Sequence, residues 1–255
     1  LVPLDLGILD ILLRSGRLLH GPQALGRWLK GAAPATFLGV KAPLKLVLAT
    51  VLAAAASFQA PIAMAIEEPK FDLIAEDGAF SLRRYAPVIL AQTEVAGDLD
   101  HASSVGFRRV AGYIFGGNRP RGGGPAQKIA MTAPVTLEPQ LPAGSGAAAV
   151  SAGSSPGHWL VTFTMPSSYR LDSLPPPTDP AVKLVPVPGH EAAVLRFSGW
   201  VDEDKFAART AELEKWIAKR GLIAVGPPQL ARYNPPWTLP FLRRNEVILD
   251  VKPAG

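Results

Sequence analysis

The chain has 255 residues, 48% of them apolar, so it can bury a sizeable core and is not disordered by composition. Its net charge of +5 sits at one end: residues 1–65 carry six Lys/Arg and two acids, which leaves 20 basic and 19 acidic side chains in the remainder. That near-neutral remainder lacks the footprint of a phosphate-backbone binder. The absence of cysteine excludes disulfides, thiolate nucleophiles and cysteine-ligated metals.

Residues 1–65 read as a leader outside the fold. Lys41 and Lys45 precede an apolar run over 46–58, too short to cross a bilayer comfortably but suited to a signal-peptide core. Ala63-Met64-Ala65 then supplies a small-x-small cleavage site, so the mature chain is expected to begin at Ile66 and to be periplasmic or secreted. A start near Val40 would give this peptide ordinary proportions. The alternatives are an uncleaved anchor, an amphipathic segment on a membrane surface, or an organellar transit peptide.

From Ile66 onward a single domain is expected. Alternation predicts strands over 80–85, 88–95, 158–165, 182–187, 192–197 and 247–251. A first helix is predicted over 102–115, with Asp98 and Asp100 ahead of it and Phe107, Val110, Ala111 and Ile114 at i, i+3, i+4, i+7. Gly116 and Gly117 end it. Residues 119–125 form a glycine-rich loop, and 128–135 a strand stopped by Pro134, with Thr132 satisfying a backbone group. Residues 139–157, rich in Ala, Gly, Ser and Pro, read as a loop. A second helix is predicted over 203–220, with acids at its start, Lys219 and Arg220 at its end, and Phe206, Leu213, Trp216 and Ile217 buried. The series strand, helix, strand occurs twice, ending at 128–135 and again at 231–237. Two such copies imply a pseudo-symmetric α+β fold with room for an apolar ligand.

Several stretches, in this order, resemble the SOUL/haem-binding family. They are Ala65-Ile66-Glu67-Glu68-Pro69-Lys70-Phe71 with Phe80-Ser81-Leu82-Arg83-Arg84-Tyr85, then Tyr113-Ile114-Phe115-Gly116-Gly117-Asn118 and Lys128-Ile129-Ala130-Met131-Thr132-Ala133-Pro134-Val135. Phe163-Thr164-Met165-Pro166, Leu174-Pro175-Pro176-Pro177, Tyr233-Asn234-Pro235-Pro236-Trp237 and Arg243-Arg244-Asn245-Glu246-Val247 complete the set. The resemblance covers nearly all of 66–252. It implies a distorted antiparallel β-barrel flanked by two helices, kinship with small-molecule effector-binding domains, and non-enzymatic binding of haem or another tetrapyrrole.

A tetrapyrrole needs an apolar wall and cations for its propionates. Phe107, Val110 and Ile114, with Met131, are candidates for the wall, and Arg108 or Arg109 for a bidentate partner. The resemblance places a basic site at Arg109 and a porphyrin surface on the exposed side of the first helix. The same stripe reads equally as core. His101 is the candidate axial ligand, or else a polar residue of the first helical turn. Glu246 beside arginines reads as a structural ion pair. The four histidines lack helical zinc spacing, and neither a phosphate-binding Gly-Lys-Ser/Thr loop nor a Gly-x-Ser-x-Gly elbow occurs. Two other readings stay open: a module for a different apolar small molecule, and a structural or interaction protein.

Overall fold

The computed structural model describes residues 66–140 and 157–254. The expected leader and most of the expected loop over 139–157 lie outside them. In chain order the elements are β1 (Phe71–Asp77), β2 (Phe80–Tyr85), β3 (Val88–Ala96), α1 (Leu99–Ile114), β4 (Val135–Pro139), β5 (His158–Thr164), β6 (Lys183–Val187), β7 (His190–Phe197), α2 (Glu203–Lys219), β8 (Leu222–Arg232) and β9 (Asn245–Pro253), with a 3-10 turn at Pro240–Leu242 before β9. Among the described residues no helix is long and apolar enough to cross a membrane.

The nine strands form one antiparallel sheet in the order β1-β2-β7-β9-β8-β4-β5-β3-β6. The class is α+β. Its ladders end at β1 and β6, so among the described residues no strand pairing closes the sheet into the expected barrel. From the β4–β8 seam outward the order is symmetric: β4, β5, β3 on one side and β8, β9, β7 on the other. The series β3-α1-β4-β5 is matched by β7-α2-β8-β9.

Local chemistry sets the element boundaries. Asp98 caps α1 by accepting from the His101 N–H at 2.8 Å, which starts the helix at Leu99 rather than at Ala102. Asp202 caps α2 in the same way through Lys205 N. Gly78, with φ 59°, supplies the tight β1–β2 turn. The expected strand over 128–135 is a correction: this stretch is held by scattered bonds, and the ladder begins only at Val135. Thr132 does satisfy a backbone group, the Thr164 carbonyl. The expected strand over 231–237 is also displaced, because β8 runs from Leu222 and a bulge between Val225 and Gln229 absorbs the prolines there.

Alternate residues of each strand face the two helices. α2 places Phe206, Leu213, Trp216 and Ile217 against Leu195, Leu230, Val247 and Leu249. α1 places Val110, Tyr113 and Ile114 against Ala91 and Phe163. Each fully buried large apolar side chain stabilises the fold by roughly 1.5–3 kcal/mol. α1 approaches the sheet at Gly106, where a Cβ would stand 2.4 Å from Val161 of β5. The other face of the sheet carries the buried polar residues Ser81, Arg83 and Glu246 beside Tyr85, Ala192 and Val194.

Candidate functional site

With Gly106, Val110, Tyr113 and Ile114 turned inward, the opposite stripe of α1 meets solvent. His101, Arg108 and Phe115 follow one another there at seven-residue intervals, with Ser104 and Gly112 between them, and all five are exposed. Phe107 borders this stripe on one side, its ring 5.5 Å from that of Phe163. Arg109 borders it on the other and donates to the Glu94 carbonyl at 3.1 Å. Phe107 is 39% exposed and Phe115 56% exposed, so two aromatic side chains stand outside the core. Beyond the helix's own backbone, nothing lies within 4 Å of the position a Cβ would take at Gly112, which leaves open space on that side of the helix near Phe115.

The expected wall therefore divides. Val110 and Ile114 are wholly interior, and Met131 is half-buried against the same cluster. These three come together as packing and present no surface to a ligand on the outer side of α1. Phe107, Arg108, Arg109 and His101 are outside. His101 lies over Gly97, where a Cβ would come within 3.1 Å of its ring. Among the described residues no group of three or more His, Asp or Glu side chains could hold a metal ion. In the sequence Phe115 stands at the end of the predicted helix and within the stretch that resembles the family; its place seven residues after Arg108 is the signal that it shares the exposed stripe.

On the helix-free face, Glu246 of β9 is fully buried. It accepts from both terminal nitrogens of Arg83 at 3.0 and 3.2 Å, from Arg244 at 3.1 and 3.0 Å, and from the Tyr233 hydroxyl at 2.6 Å. Burial opposes its charge, but the hydrogen bond and charge of Arg83, with Tyr233 and Arg244, outweigh it and hold the carboxyl below the usual range. Tyr233 is pushed up by burial and by the Glu246 charge. Arg244 also pairs with Glu68 at 3.0 Å, which ties the start of the domain to its last strand. Every charge here is met within the cluster, so it works as a structural clamp, in line with the ion-pair reading of Glu246.

A cleft of about 730 Å³ opens where β3, β5 and β6 end. Val88, Ile89, Met165, Tyr169 and Leu171 give it an apolar lining, with Lys70 and Glu67 at the edge, and no residue of α1 reaches it.

The model of the family described as SOUL heme-binding protein matches residues 66–250. The chain belongs to the SOUL family. The match begins at the residue expected to open the mature domain and runs into β9, so it takes in both halves of the sheet and both helices. No curated protein matches the chain. Among solved structures, the C-terminal domain of EcmrR is similar over 68% of this chain and 97% of its own, at 11% identity and a TM-score of 0.50. A hydrolase from Listeria innocua is similar over 70% of this chain and 94% of its own, at 15% identity and a TM-score of 0.45. At these identities the likeness concerns the fold alone. As a SOUL-family chain, this protein belongs to a family described as haem-binding.

Proposed function

We propose that the domain binds haem or a related tetrapyrrole, without catalysing a reaction, on the exposed stripe of α1. The observation that carries this reading is the pair of exposed aromatics, Phe107 and Phe115, beside the open backbone at Gly112 and with Arg108 on the same stripe. The residues present suit a flat apolar ligand with acidic substituents. Phe115 and Phe107 would cover apolar surface, and the missing side chain at Gly112 allows close approach. Arg108 would take a carboxylate bidentately, and Arg109 would assist from the border of the stripe. His101 is the nitrogen donor on the same stripe available to iron. Haem would bring the iron and its redox chemistry; the chain's own part is to hold and orient it. The basic, apolar leader supports export, so the ligand would be met in the periplasm or outside the cell.

Titration of haemin, followed by the Soret band, tests this. Phe115→Ala and Arg108→Glu each lie on the surface and are expected to weaken binding by about tenfold, or roughly 1.4 kcal/mol, with unchanged melting temperature. Haemin affinity that is the same in both variants and the parent would overturn the assignment.

The cleft supports a second reading, a site for another apolar small molecule, since its volume falls in the ordinary range for ligand pockets. Stabilisation by such a ligand would then be lost on changing Leu171 and kept on changing Phe115.

A further inference from the structure

We propose that the loop joining β8 to β9, together with Trp200, is a membrane-contacting surface that seats in the interfacial layer of a lipid bilayer. Trp200, Trp237, Leu239, Phe241 and Leu242 are between 56% and 83% exposed. They belong to one neighbourhood, since the Gly199 N–H donates to the Pro240 carbonyl and the Arg243 guanidinium lies 3.8 Å from the Trp200 ring centre. Single exposed apolar residues are ordinary; four clustered on one loop, with Trp200 beside them, mark a contact surface.

The loop is built rather than slack. Thr238 N donates to Pro235 O, Leu242 N to Leu239 O and Arg243 N to Pro240 O. Arg243 also donates to the carbonyls of Pro236 and Thr238. Much of the backbone polarity is thereby spent inside the loop, while its apolar side chains point out. That arrangement lowers the cost of leaving water, and tryptophan, phenylalanine and leucine beside arginine is the composition that favours the headgroup boundary.

The course of the chain selects a bilayer over other occupants. Glu68, three residues into the family domain, is paired to Arg244 at the foot of this loop. Upstream, where the leader is retained as an uncleaved anchor, the apolar run over 46–58 with Lys41 and Lys45 ahead of it engages the membrane. Only residues 59–65 separate that run from Ile66, and seven residues reach no further than about 25 Å. The end of the domain where Glu68 lies is therefore the end that bears the apolar loop. The acids that follow Trp200 in the sequence are engaged elsewhere, Asp202 accepting from Lys205 N and Glu203 from Leu99 N. Apolar contact, more than charge, drives the binding.

The test uses the full chain with vesicles of phosphatidylcholine containing a minor share of phosphatidylglycerol, in plain and brominated forms. Subtracting the emission of Trp237→Phe from that of the parent isolates Trp237 from the other tryptophans. Its emission is expected to shift to the blue on vesicles, to be quenched by bromine, and to remain quenched at high salt. Phe241→Ser with Leu242→Ser is expected to cut that quenching by at least about threefold without lowering the melting temperature. A vesicle-bound chain whose Trp237 stays water-like would overturn the proposal and leave the leader as sole anchor. Shielding of Trp237 that grows with protein concentration without vesicles would overturn it in favour of a second copy on the patch.

Discussion

Replacing Glu246 by glutamine keeps the shape of the buried clamp and removes its charge. The carboxylate accepts two hydrogen bonds from Arg83, two from Arg244 and one from Tyr233. An amide offers one oxygen and turns an NH₂ group toward a guanidinium, so Arg83, whose side chain is 9% exposed, is left as a buried cation without a counter-charge. Loss of one member of a buried pair costs about 3–5 kcal/mol, a large share of the roughly 5–15 kcal/mol that holds a domain together. Urea unfolding at pH 7 followed by tryptophan fluorescence should show a loss of about 4 kcal/mol. The double change Arg83→Met with Glu246→Leu should recover much of it, because both charges go together. The pH dependence has a fixed sign. A carboxyl held below its unfolded value adds stability above that unfolded value and loses it as pH falls through the lowered folded one, so Glu246→Gln should flatten the acid-side decline. A loss under about 1 kcal/mol at pH 7 would refute the clamp.

Two further substitutions probe other parts of the sheet. Burial pushes Glu138 up to about 7, helped by the charge of Asp250 and opposed by hydrogen bonds with Gln140 and Gln229. A carboxyl that holds its proton more tightly in the fold costs stability as pH rises, so Glu138→Gln should stabilise by about 1–3 kcal/mol at pH 8 and be neutral near pH 4; identical thermal melts at both pH values would contradict this. Gly106→Ala should destabilise by about 1–3 kcal/mol in calorimetry despite alanine's better helix propensity, since its Cβ would stand 2.4 Å from the buried Val161; a rise in melting temperature would show that α1 can back away from β5.

The strands that alternate cleanly were legible in the sequence: β2, β3, β5 and β7 lie where the pattern puts them, to within two residues at each end. β1 gave no such signal because nearly all its residues are exposed on both faces. β8 was hidden by Gly226-Pro227-Pro228, which reads as a break and is a bulge. At the site, the stripe of Phe107, Val110, Ala111 and Ile114 marked the packed side of α1 at its last three positions but not at the exposed Phe107, and an apolar stripe reports burial, not where a ligand can land. What distinguishes the outer side is exposure at Phe115 and open space at Gly112, and both depend on how the helix sits on β5. Glu246 could be paired in sequence with its neighbour Arg244, whereas Arg83, 163 residues away, becomes its partner only when β2, β7 and β9 lie side by side.

The seam between the two halves is narrow: the ladder from β4 to β8 consists of Val135 with Arg232, Thr136 with Ala231 and Leu137 with Leu230. Backbone pairing alone would make it the place where the domain tears. Leu137 and Leu230 are both wholly interior and belong to the larger core. Mechanical continuity from one half to the other thus passes through grease as well as through this short ladder and the few polar bonds beside it, and small changes of side-chain volume there would loosen or tighten the joint.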